Sequence, residues 1–219
     1  AISKSTMLGV WDVYMYQQAE AYYNFINKAY AHIPRIPAQG LEPYYYMNDP
    51  SYAFDKLFEN KKILIISSHK NTIEGQLKIR SLLFPKNIFQ DETSHGVEFR
   101  MYKPSQQNAG SHDSNSWLVH LENMKGELAC IKEEFAFDVA LVSAGGFGMI
   151  ISEFIYSRLD ASVIYVGGPL QLFFGIMGGR WANNQKINTA QNNYAKYWTN
   201  VAQEDRPSDP RLCENSSYW

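Results

Sequence analysis

Cysteine is scarce in this chain. Cys130 and Cys213 are the only two in 219 residues, they stand 83 positions apart, and they form no motif. Such usage fits a reducing compartment, with a single disulfide left open. Charge imbalance is also missing: the formal net charge is −2, which gives no general pull toward nucleic acid or anionic membranes. Any anion must therefore be held locally, by a few placed groups. Long apolar runs are nearly absent. Only Ala161 to Gly179 lacks charge over a spanning length, and it carries Gly167, Gly168, Pro169, Gln171, Gly175, Gly178 and Gly179. That composition suits a buried strand, a tight loop and a short helix of a soluble core better than a membrane span. No internal repeat or low-complexity tract occurs. No signal-peptide pattern opens the sequence, so the expected compartment is the cytoplasm. Asn215-Ser216-Ser217 is a glycosylation triplet, which matters only in a secreted protein.

Several ligand motifs are missing too. The dinucleotide fingerprint fails, because Gly146 and Gly148 are followed by Ile151 at the third position. The acid expected about 20 residues further on is replaced by Gly167-Gly168. The same gap argues against a methyl donor whose ribose must be held. The phosphate loop ending in Gly-Lys-Ser/Thr does not occur. His32, His69, His95, His112 and His120 show no ligand spacing, and no Asp-x-Asp follows a strand. His112-Asp113, in a polar loop, is the weak exception. The expectation is no metal and no cofactor beyond a donor substrate.

What is present is an ordinary globular balance, 45% hydrophobic and 19% charged, enough for one domain with a proper core. Aromatics reach 15%, with 15 Tyr. Tyr44-Tyr45-Tyr46 suits an aromatic wall for a sugar or base, although most Tyr serve half-buried packing. Spacing predicts a helix over 8–33, ended by Pro34 and Pro37, then an extended connection over 34–50 and a short helix near 51–59. Lys62 to Ile66 reads as a strand buried on both faces, followed by a helix over 72–83. A strand over 96–102, a polar loop or lid over 104–116 and a helix over 116–134 follow. Further strands are expected over 137–142 and 162–166, with a helix to about 158 between them. A helix over 187–200 and a surface tail from Gln203 close the chain. Alternating strands and helices imply an α/β fold, a Rossmann-like parallel sheet flanked by helices with an N-terminal helical segment packed on it. The division expected within this single domain is 1–60, 61–184 and 185–219.

Three predicted strands end in small or polar residues directly before a helix: Ser67-Ser68-His69, Ala144-Gly145-Gly146-Phe147-Gly148 and Gly167-Gly168-Pro169-Leu170-Gln171. In a parallel sheet these ends share one edge, where ligands bind. Helix first turns offer unpaired N–H groups, and glycine lets a phosphate approach them. Ser68, His69 and Gln171 add side-chain hydrogen bonds. A nucleoside diphosphate gripped by its phosphates survives the exclusions above. Arg180 and Trp181 have two open readings: a cation for the diphosphate beside a stacking ring, or a surface charge beside a core residue. Asp12, in an apolar stretch, is the candidate general base, with a helix N-cap as its other reading. Glu74 is the reserve.

The segments Ile63 to Phe84, Phe137 to Gly148, and Gly167 to Ile176 with Gly179-Arg180-Trp181 resemble a glycosyltransferase family of polysaccharide-biosynthesis loci. Rhamnosyltransferase domains that build chlorella-virus capsid glycans are among its members. Tyr197-Trp198 and Tyr218-Trp219 extend the likeness over nearly the whole chain. The chain departs from the family pattern at His69-Lys70, where Pro is usual. The resemblance implies a rhamnosyltransferase using UDP-activated L-rhamnose and a glycan acceptor, fused to other glycan-modifying domains such as a methyltransferase. If viral, it would act in the host cytoplasm. The rival expectations are another nucleotide-dependent enzyme, a methyltransferase or oxidoreductase, and a non-catalytic glycan-binding module.

Overall fold

The computed structural model describes residues 1–10, 24–42, 58–84, 96–185 and 195–219. Asp12, His95, the Tyr44–Tyr46 run and the short helix expected near 51–59, up to residue 57, lie outside the described residues.

The N-terminal part departs from the helix expected over 8–33. Residues 24–29 are helical, but strand β1 (Leu8–Val10) pairs in parallel with strand β2 (Arg35–Pro37). The prolines expected to stop a helix have a second effect. They fix an extended backbone, and the Pro34 carbonyl accepts the Leu8 N–H at 2.9 Å.

Four strands form the central sheet: β3 (Lys62–Ser67), β4 (Glu98–Tyr102), β5 (Val139–Ser143) and β6 (Ser162–Tyr165). All pairs are parallel and the order is β4-β3-β5-β6. The register puts Ile63 opposite both Phe99 and Val139, and Ser67 opposite Ser143. Strand side chains alternate between faces, and both faces are covered. Leu64, Ile66, Ala140 and Val142 pack under helices α2 (Trp117–Phe135) and α3 (Gly148–Arg158). Ile63, Ile65 and Leu141 pack under Ile73 of helix α1 (Lys70–Leu77) and under a 3-10 helix, Gly168–Phe174. This explains the unbroken run at 63–66: each of those side chains is fully buried, contributing about 1.5–3 kcal/mol. The face occupied by each helix follows the right-handed rule for parallel crossovers. The crossover from β3 to β4 runs in the opposite direction to those from β4 to β5 and β5 to β6, so α1 lies on the other face.

Local signals set the ends of α2. The Ser116 hydroxyl accepts the Val119 N–H, and Ala136 closes the helix in the left-handed conformation. Helix α1 starts at Lys70, two residues before the expected Thr72, and ends at Leu77, with a separate 3-10 turn at Arg80–Leu82. Its N-terminus is completed by Asp205. This carboxylate accepts the Asn71 and Thr72 N–H groups at 3.3 and 2.7 Å, and the Thr72 hydroxyl at 2.7 Å.

Of the helix expected over 187–200, residues 187–194 lie outside the described residues; Ala195–Tyr197 form a 3-10 turn, and residues 199–200 are not helical, since β8 (Thr199–Asn200) pairs with β7 (Ile176–Met177). Trp198 packs edge-on against Phe84, and its Nε1–H donates to the Leu83 carbonyl. Nor does the tail merely cross the surface. Asp205 is fully buried, and Tyr218 and Trp219 fold back against the strand ends. Among the described residues, no helix is long and apolar enough to cross a membrane.

Candidate functional site

Because the sheet is wholly parallel, the C-terminal ends of its strands share one edge. The connections diverge between β3 and β5, the central neighbours, and a crevice opens at such a divergence. A cleft of about 420 Å³ lies there. Its floor comes from the turns after β3, β5 and β6, with Ser68, His69, Gly145, Gly146, Phe147, Gly168 and Gln171 all in the lining. The seven floor residues expected from three separate strand ends are thus brought to one place.

The turns differ in detail. Tyr165 at the end of β6 donates its hydroxyl to the Gly145 carbonyl at 3.1 Å, which pins the turn after β5. Gly148 permits this arrangement, since a Cβ there would lie 2.2 Å from the Tyr165 ring. Gly145 has φ +49° and Gly167 φ +72°, left-handed values that favour glycine. Nothing stands within 4 Å of a Cβ added at Gly145, Gly146 or Gly167. Gly168 is different: a Cβ there would meet Tyr218 Cε1 at 2.3 Å. At Gly178 it would meet the Ser217 carbonyl at 2.6 Å. These two glycines seat the tail, whereas the first three border open space.

The side chains carry the chemistry. His69 Nε2, Gln171 Oε1 and Trp219 Nε1 are buried, belong to lining residues and have no hydrogen-bond partner. Burial pushes the His69 pKa down to about 4, against the attraction of Asp205 and with a small contribution from Lys103, so the imidazole is neutral at pH 7. Its backbone N–H is tied to Ser67 Oγ at 3.1 Å, and its ring meets Trp219 edge-on at 6.2 Å. Gln171 spends its Nε2–H on the Ile176 carbonyl at 3.2 Å, leaving the oxygen as acceptor. Unpaired buried polar atoms are costly, about 1–3 kcal/mol each, and three of them belong to residues that line this one cleft.

The turn after β3 has no room for a phosphate at Asn71 or Thr72, because Asp205 is there. Burial opposes ionisation of Asp205. The Thr72 and Asn71 donors and Lys103, at 3.3 Å, outweigh it and hold the carboxyl below the usual range. Open space is left beside Gly145, Gly146 and Gly167, in the turns after β5 and β6.

Arg180 and Trp181 lie outside the lining. Trp181 is buried in a core cluster with Leu83, Met177 and Trp198, edge-on to Tyr218. Arg180 is exposed, and its Nη1 donates to the Tyr218 hydroxyl at 3.4 Å, which in turn donates to Glu214 Oε2 at 3.1 Å. Glu74 sits on α1 in an exposed ion pair with Lys70 at 3.9 Å, away from the lining. His112 is exposed, and Asp113 bonds His120. Among the described residues no group of three or more His, Cys, Asp or Glu is placed to hold a metal. Both cysteines are free.

Two further walls complete the cleft. One is the tail, with Cys213, Glu214, Tyr218 and Trp219, expected only to lie on the surface; the other is the loop Pro104–Asn108, part of the loop or lid expected over 104–116, with Trp117, whose ring stacks on Phe147 at 4.8 Å. For the tail, the closing Tyr-Trp pair was the available signal. Comparison with family models, curated proteins and solved structures finds no match for the chain.

Proposed function

We propose that this chain is a glycosyltransferase on a Rossmann-like fold. It moves a sugar, L-rhamnose by the sequence resemblance, from a UDP-linked donor to a hydroxyl of a growing glycan, with inversion. One observation carries this reading: three unpaired buried polar atoms, an oxygen acceptor, an indole donor and a neutral imidazole, surround a cleft beside an open glycine turn. A ligand matching them must offer both donors and acceptors close to an anionic group. A nucleotide sugar has that chemistry. In this reading Gly145 and Gly146, in the turn that opens α3, receive the diphosphate through backbone N–H groups and a helix N-terminus. His69, Gln171 and Trp219 hydrogen-bond the neutral part, and the Trp117–Phe147 stack supplies an apolar wall. Preorganised donors there would stabilise the charge of the departing nucleotide. Arg180 acts at most through Tyr218. The reading assigns no metal to the reaction.

The test is a melting-temperature panel with UDP, NAD and S-adenosylmethionine, followed by turnover of UDP-L-rhamnose with and without EDTA. Stabilisation by UDP alone and EDTA-insensitive release of UDP are expected. Stabilisation by NAD or the methyl donor instead would transfer the site to the rival enzyme classes. UDP binding without turnover on any acceptor would leave a binding module.

A further inference from the structure

The loop between β4 and α2 contains a chain of hydrogen bonds that the reading above does not use. Ser105, in the cleft lining, has its Oγ 2.9 Å from His120 Nδ1. His120 is buried in the first turns of α2, and its Nε2 lies 2.9 Å from Asp113 Oδ1. The Asp113 carboxylate accepts only, so it takes the Nε2–H and fixes the tautomer. His120 Nδ1 is then an acceptor, and the Ser105 hydroxyl must donate to it. Two further bonds close the ring. Asp113 N–H donates to Gln107 Oε1 at 3.4 Å, and Gln107 Nε2–H donates to Ser105 Oγ at 3.1 Å. Asp113 also accepts the Asn115 N–H at 2.8 Å. That bond foremost, opposed by slight burial and aided by His120, holds its carboxyl below the ordinary range. Asp113 thus stays ionised and keeps its place as the acceptor of the His120 Nε2–H.

The direction of this chain matters. A carboxylate orients a buried imidazole, and the imidazole faces a hydroxyl that borders the substrate cleft. Nucleophile or proton acceptor, base and orienting acid are thus within hydrogen-bond reach of each other, the arrangement that activates a hydroxyl. We propose that Ser105, His120 and Asp113 are the proton relay of the transfer reaction, with Ser105 the catalytic residue that touches the acceptor hydroxyl. This rests on the glycosyltransferase reading. In the step, the acceptor oxygen bonds to the sugar C1 while the bond from C1 to the phosphate oxygen breaks, and the nucleotide leaves with the electron pair. The acceptor proton passes to Ser105 Oγ, and the Ser105 proton passes to His120 Nδ1. Solvent later takes it from His120. The amide of Gln107 steadies the Ser105 oxygen during the exchange. His120 and Asp113 act through Ser105 and are positioning residues.

Two measurements separate this proposal from the reading beneath it. The first is labelling of the unmodified full chain with a fluorophosphonate, located by peptide mass spectrometry. Modification at Ser105, slowed about 10²–10⁴-fold in His120→Gln, is expected and does not depend on any sugar donor. The second compares Ser105→Ala, His120→Gln and Asp113→Asn in UDP-L-rhamnose turnover, with UDP binding measured by calorimetry. The proposal expects kcat to fall by about 10²–10⁴-fold in the Ser105 and His120 variants while UDP affinity and KM for the donor stay put. Turnover lost only in Asp12→Asn, with the Ser105 and His120 variants fully active, overturns the relay. Labelling at Ser105 in a chain that neither binds UDP nor turns it over overturns the sugar-transfer reading and makes Ser105 the nucleophile of another reaction. An unlabelled Ser105, with variants that lose only melting temperature, reduces the ring to a clip holding the loop.

Discussion

The turns after β3 and β5 are neighbours in the sheet and begin alike, each passing from a buried strand through small or polar residues into a helix. They are filled in opposite ways. After β3, the first turn of α1 is closed by Asp205, delivered from the tail and held by Asn71, Thr72 and Lys103. After β5, Gly145 and Gly146 are exposed, with open space where side chains would stand. Both turns line the cleft, but the helix start after β3 is filled by an internal anion and the turn after β5 is left open. A helix start with free N–H groups attracts negative charge in either case, so what separates binding from architecture is whether the chain supplies the charge itself.

Breaking the closed turn should have the largest effect. Asp205→Ala takes the acceptor from the Asn71 and Thr72 N–H groups, the Asn71 side-chain amide and the Thr72 hydroxyl, while Lys103 keeps the Glu204 carbonyl, and destabilisation of about 3–4 kcal/mol is expected in urea unfolding. A loss within error would mean that the carboxylate only decorates the turn. Acid should expose the same region next. His69 is ordinary in the unfolded chain, at 6.5, and depressed to about 4 in the fold. The unfolded state therefore binds more protons between those values. Stability from this group is complete above pH 6.5 and is lost as pH falls toward 4, on the order of 3 kcal/mol. His69→Gln should flatten that part of the pH profile, and a profile unchanged by the substitution would refute the neutral buried imidazole. The open turn sharpens the contrast from the other side. Gly146→Ala adds a methyl group into free space, so melting should shift little, while UDP affinity drops about tenfold, or 1.4 kcal/mol. Equal losses in stability and affinity would show that this turn, too, is architecture.

The legible part of the fold was the part written locally. Ile63 to Ile66 and Ala140 to Val142 announce buried strands by unbroken apolar runs, and Ser116 announces the start of α2 by its side chain. Parallel strands then force their ends to one edge, so the gathering of Ser68, Gly145 and Gly168 was readable before any coordinates. The remainder depends on partners far away in sequence. The glycines at 145, 168 and 178 look alike as letters, yet Gly145 borders open cleft space, Gly168 lines the cleft while making room for Tyr218, and Gly178 makes room for Ser217. Trp181 could be assigned to core or cleft only once Leu83 and Trp198 were seen around it. Asp113 and His120 showed no motif because a loop, not a helical spacing, brings them together. Residues 8–10 pair with a strand that two prolines create, and no helical periodicity records that.

The bond between Asp205 and the head of α1 joins positions 134 apart in the sequence, and this has a bearing on the order of folding. Contacts of such separation form late, since the loop entropy must be overcome first. The sheet and α1 can collapse before the tail docks, so the carboxylate belongs to the last steps rather than to the nucleus. Weakening it should hasten unfolding while leaving the folding limb of a chevron nearly unmoved.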